Sequence, residues 1–128
     1  DQPRSRGLGD VYKRQAVGPY VHAVKTGNMI FISGQLGLNP ADGTLPEGIE
    51  AQTIQSLENV KTILEGTGSD FDHVVKTTIF LADIADFGKV NEIYAKYFAN
   101  EVPARSCVEV ANLPKAALVE IEAIAVEK

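Results

Sequence analysis

Residues 103–126, PARSCVEVANLPKAALVEIEAIAV, decide the fold. Ser106 to Val110 alternates around β-formers, Asn112-Leu113-Pro114-Lys115 supplies turn chemistry, and Leu118 to Val126 alternates again. In the second segment Val119, Ile121, Ala123 and Ala125 share one face, with Glu120 and Glu122 on the other. In the first, Arg105, Cys107 and Glu109 share a face opposite Ser106, Val108 and Val110. If the two strands are neighbours, a guanidinium and a carboxylate meet on one sheet face. That pair suits a small carboxylate ligand, with Arg105 forking onto the acid and Glu120 handling a proton or a water. On spacing alone the same pair reads first as an ordinary solvated cross-strand contact, worth a few tenths of a kcal/mol.

Working back along the chain, Val74 to Leu81 (VVKTTIFL) is a strand rich in β-branched residues. Tyr20 to Val24 and Met29 to Gln35 are two more, joined by a hairpin turn at Thr26-Gly27-Asn28. Ser33-Gly34, at the end of the second, is a point of close backbone approach to a ligand or a simple bulge or bend, and alone reads first as the latter. Leu36 to Gly48 carries Asn39-Pro40, Asp42-Gly43 and Pro46 and reads as a loop. The 3.6-residue period predicts a helix over about 50–65, with Ile54, Leu57, Val60, Ile63 and Leu64 as its apolar stripe and Gly66 as its stop. A second helix is predicted over about 87–98, burying Val90, Ile93, Tyr94 and Tyr97 or Phe98.

The 128 residues fit one domain, expected over 16–128. Residues 1–15 show no sustained period and are expected to be a disordered or foreign tail. Net charge is −5, distributed as +2 in that tail and −7 in the body. An acidic body argues against nucleic acid as the main partner, because phosphate contacts need clustered Lys and Arg. No apolar run is long enough to cross a bilayer. The single cysteine, Cys107, rules out an internal disulfide and points to a reducing, cytoplasmic setting.

The order ββαβαββ specifies an α+β domain, a mixed sheet with two helices on one face. The uncovered face is expected to carry Met29, Phe31, Cys107 and Ile124, an apolar surface that a second copy of the chain would cover.

The stretches Pro103-Ala104-Arg105-Ser106-Cys107-Val108, Leu113-Pro114 and Val119-Glu120-Ile121-Glu122-Ala123 resemble the signature of the RidA/YjgF family of reactive-intermediate deaminases. Gly18-Pro19-Tyr20, Gly27-Asn28-Met29, Ser33-Gly34-Gln35, the run from Gln55 to Val60 and Val75-Lys76-Thr77-Thr78 also look like family blocks in family order. The resemblance spans residues 16–128. It implies a chorismate-mutase-like fold, a homotrimer with clefts between subunits, and hydrolysis of 2-imino or enamino acids such as 2-iminobutanoate and 2-iminopropanoate to 2-keto acids and ammonia, with no metal or organic cofactor. By motif position it implies catalytic roles for Arg105 (carboxylate binding), Glu120 (water activation) and Tyr20. It implies substrate-binding roles for Ser33, Gly34, Asn91 and Cys107, the last through its backbone. The chain departs from the family pattern before Ala16 and in a short connection over 99–102. Two other functions attach to the wider family: a carboxylate-binding regulatory trimer, and RNA cleavage or translation inhibition, which the acidic body disfavours. His22 and His73 are too few for a zinc site.

Overall fold

The computed structural model describes residues 21–128 in full and, before them, the backbone of two short strands, β1 (Arg4–Ser5) and β2 (Asp10–Tyr12). There follow β3 (Ala23–Thr26), β4 (Met29–Leu36), α1 (Ile49–Gly66), β5 (Val74–Leu81), α2 (Phe87–Tyr97), β6 (Ala104–Glu109) and β7 (Val119–Val126). From β3 onward the order is the expected ββαβαββ. Single 3₁₀ turns lie at Phe71–His73, Ile84–Asp86 and Pro114–Ala116.

Local chemistry accounts for the element ends. Thr26 pairs with Met29, so Gly27-Asn28 is a two-residue hairpin turn, and Gly27 supplies the positive φ of 60° it needs. The helix ends at Gly66 as predicted, but the left-handed position comes two residues later. Gly68, at φ +86°, takes the left-handed position, and Ser69 N–H reaches back to the Leu64 carbonyl at 2.8 Å.

The strands form one sheet in the order β1-β2-β3-β4-β7-β5-β6. All pairs are antiparallel except β5 with β6, which is parallel. The expected pairing of the two C-terminal strands is therefore corrected. β7 enters between β4 and β5, where its Val/Ile/Ala face can be buried on both flanks. β6 is left at the edge.

That insertion sets the faces. Thr77 on β5 stands level with Arg105 on one side and Ala123 on the other, and both Thr77 and Ala123 are buried beneath the helices. Arg105 and Cys107 consequently lie on the helix side. Glu120, in register with Phe80 and Leu36, lies on the open side. Met29, Phe31 and Ile124 are on the open side as expected, and Phe31 is 40% exposed. Cys107 is not: it pairs with buried Ile79 and packs against the core edge.

The core lies between sheet and helices, built from Ile30, Ile79 and Ile121 beneath Leu57, Ile63 and Leu64 of α1 and Val90 of α2. Each such side chain contributes about 1.5–3 kcal/mol on burial. Ile54, expected in the stripe, is 46% exposed. The buried face of α1 turns instead through Gln52, Thr53, Ser56 and Asn59. These polar residues meet free carbonyls. Ser56 donates to Gln35 O at 2.7 Å, and Asn59 donates to Leu36 O and Leu38 O at 3.1 and 2.9 Å. Gln52 donates to Pro46 O and accepts from Leu118 N–H, tying the loop after β4 to the start of β7.

Gly37 permits that junction. A Cβ there would sit 2.3 Å from the backbone oxygen of Gln52, which cannot yield without moving the helix. Gly37→Ala is expected to lower the unfolding free energy by about 1–3 kcal/mol. Urea denaturation should show a lower midpoint at unchanged slope.

Candidate functional site

Two groups of predicted side chains stand apart within the chain. The first is built on β6 and α2. Arg105 projects from the sheet edge toward α2, where its Nη1 donates to Asn91 Oδ1. Its Cζ lies 4.9 Å from the centroid of the Tyr94 ring and 5.4 Å from that of Phe87. The Tyr94 hydroxyl shares a 2.7 Å hydrogen bond with Thr77. Among the described residues no carboxylate pairs with Arg105. Half-buried and with no counter-ion among the described residues, this guanidinium has the planar fork that matches a carboxylate. Beside it opens a cleft of about 630 Å³, walled by Ala95, Phe98, Val102 and Pro103 and by Glu92, which makes no ion pair with Arg105.

Cys107 follows on the same strand face. Burial pushes its thiol pKa up, more than the neighbouring Arg105 draws it down, so the sulfur is a neutral thiol and a poor nucleophile.

The second group is built on β4 and β7. The β4–β7 register shifts between Ile32 and Gln35, so Ser33-Gly34 forms a bulge inside the strand rather than its end. Glu120 folds over this bulge: a Cβ on Gly34 would come within 2.6 Å of its Oε2. The Gly34 backbone is unstrained, and a larger residue there would push the Glu120 side chain out of this position. Burial raises the pKa of Glu120 above the usual glutamate range, and the charge of Glu122 adds to the rise. Ser33 donates its hydroxyl to Val21 O at 2.7 Å and serves to hold β3 against the bulge. Tyr20, the remaining predicted catalytic residue, lies outside the described residues.

The expectation that Arg105 and Glu120 share a sheet face is thus corrected. They occupy opposite faces, because the β5 strand between β6 and β7 fixes a register that the alternation within each strand does not specify. Sequence reading also assigned Tyr94 to the core alone and gave Phe87 no role. The usable signal was their spacing: Phe87, Asn91 and Tyr94 recur on one helical face. Among the described residues no three His, Cys, Asp or Glu side chains group so as to hold a metal ion, and no helix is long and apolar enough to cross a membrane.

Residues 12–127 match the sequence model of the family described as endoribonuclease L-PSP. The chain is 52% identical over 113 residues to a mouse protein named 2-iminobutanoate/2-iminopropanoate deaminase, covering 88% of this chain and 84% of that one. Among solved structures it resembles the Escherichia coli YjgF gene product, with a TM-score of 0.87, 46% identity, and coverage of 97% and 100% of the two chains. It also resembles Escherichia coli TdcF with bound serine, with a TM-score of 0.86, 39% identity and full coverage of both chains.

Proposed function

The chain belongs to the RidA/YjgF family, whose sequence model carries the endoribonuclease L-PSP description, and from that premise we propose that it hydrolyses reactive 2-imino acids to 2-keto acids and ammonia. The observation that carries this reading is the Arg105 guanidinium, held by Asn91, Tyr94 and Phe87 with no counter-ion among the described residues. Such a group grips a small carboxylate, the invariant handle of every 2-imino acid. The serine bound in TdcF has the same handle.

The chemistry needs little more. A protonated imine is already electrophilic at carbon. Glu120, as carboxylate, takes a proton from water as the oxygen adds to that carbon, giving a carbinolamine. It returns that proton to nitrogen and then takes the hydroxyl proton as the C=O bond forms and the C–N bond breaks; the departing ammonia picks that proton up, so protonated imine and water become keto acid and ammonium. Arg105 fixes the carbon relative to that water. Ser33, Gly34, Asn91, Cys107 and Tyr20 complete the pocket wall.

Because Arg105 and Glu120 face opposite sides of one sheet, one chain does not close this site. We infer a homotrimer in which the Arg105 edge of one copy meets the Glu120 face of the next, covering the apolar surface of Met29, Phe31 and Ile124. A cytoplasmic setting, drawn from the lone Cys107, accompanies this reading.

The test couples the purified chain to threonine dehydratase acting on threonine. Faster formation of 2-ketobutyrate from the released 2-iminobutanoate is expected, together with a solution mass of three chains. No acceleration over the spontaneous rate sinks the activity, and a fully active monomer sinks the shared site.

A further inference from the structure

The support beneath Arg105 is aromatic where an acidic residue would be the simpler anchor. Phe87 and Tyr94 stand two turns apart on α2, about 10.5 Å along the axis. The Arg105 Cζ reaches both rings, 5.4 Å from the centroid of Phe87 and 4.9 Å from that of Tyr94. Asn91, on the turn between, takes one hydrogen of Nη1. The Tyr94 ring is itself fixed. It packs on Phe98 at 4.5 Å between centroids, and its hydroxyl is tied to Thr77. Thr77 is fully buried and is the direct cross-strand neighbour of Arg105. One residue pair in the sheet thus references both the backbone of Arg105 and the ring over its head.

Rings hold a cation without neutralising it, whereas a carboxylate would cancel the charge the substrate must find. Resting on the deaminase reading above, we propose that Tyr94 and Phe87 are positioning residues that keep the Arg105 guanidinium oriented and uncompensated, its edge away from Asn91 presented to the substrate carboxylate. The slot also requires a planar cation. A lysine ammonium at position 105 has no plane to be held against the rings and no fork to offer.

Kinetics on 2-iminobutanoate and on the corresponding 2-imino amide separate this role from plain packing. Tyr94→Leu is expected to raise KM for the acid about tenfold, with kcat changed far less and the preference for acid over amide reduced in proportion. Phe87 is 36% exposed, so Phe87→Glu spares the fold while placing a carboxylate against Arg105; it should abolish the acid preference, and Phe87→Leu should only weaken it. Guanidinium chloride, well below denaturing concentration, should restore part of the activity of Arg105→Ala and none in Arg105→Ala/Tyr94→Leu. Unchanged acid preference in Phe87→Glu, or equal rescue in the double variant, overturns the inference. A wild-type chain with no deaminase activity sinks the functional reading instead. Calorimetric binding of 2-ketobutyrate to wild type and Phe87→Glu then decides the slot: loss of binding in the variant supports it, and equal affinity overturns it.

Discussion

Replacing Arg105 by alanine is expected to lower kcat/KM for 2-iminobutanoate about 10²–10³-fold, since two charge-assisted hydrogen bonds to the carboxylate disappear together. The fold should survive the change. Arg105 neutralises no charge among the described residues, so its removal strands no buried ion, and Asn91 Oδ1 loses a partner beside an open cleft where water can replace it. Steady-state kinetics on imine released by threonine dehydratase, with circular dichroism to confirm folding, measure both halves. Arg105→Lys should recover little of the loss, because an ammonium is a point charge and cannot accept a carboxylate side-on. Activity within a few-fold of wild type in either variant would remove the carboxylate grip from the mechanism.

Glu120→Gln is expected to cost about 10²–10⁴-fold in kcat, the range for loss of acid–base catalysis. Its effect on pH dependence is more specific. Glu120 works as a carboxylate, and burial followed by the charge of Glu122 holds its pKa above the ordinary glutamate value. Protonation removes the base, so kcat/KM should fall as pH drops through that raised value and be full above it. The acidic limb should therefore lie higher than for a solvated glutamate. Glu122→Gln, which removes the like charge, should move the limb down; Glu120→Gln should abolish it. An acidic limb that persists unmoved in Glu120→Gln would assign the base elsewhere.

The two inactive variants also test how the site is shared. If Arg105 and Glu120 come from different copies, co-refolding equal amounts of Arg105→Ala and Glu120→Gln chains should restore about a quarter of wild-type activity, because random trimers place an intact pair at that fraction of their seams. A site within one chain would recover nothing.

Much of this architecture is legible along the chain. The β-branched run of Val74–Leu81, the alternation of Val119–Val126 and the helical periods near 49–66 and 87–97 each specify their element through local side-chain spacing. Family blocks around Pro103–Val108 and Val119–Ala123 mark Arg105 and Glu120 as the residues of interest. Within each strand the division of faces is also as read: Arg105 with Cys107, and Glu120 with Glu122.

What alternation leaves free is the relation between strands. A period of two states which residues share a face, and says nothing about which neighbour a strand takes or on which side the helices lie. Long-range pairing decided that β7 enters between β4 and β5, and this turned Arg105 toward α2 and Glu120 toward the open side. The same step brought Phe87, Tyr94 and Thr77 around the guanidinium and folded Glu120 over Gly34. Residue chemistry was thus fixed by the local pattern. The environment that charges, buries and separates those residues came from contacts between segments far apart in the chain, which no local period encodes.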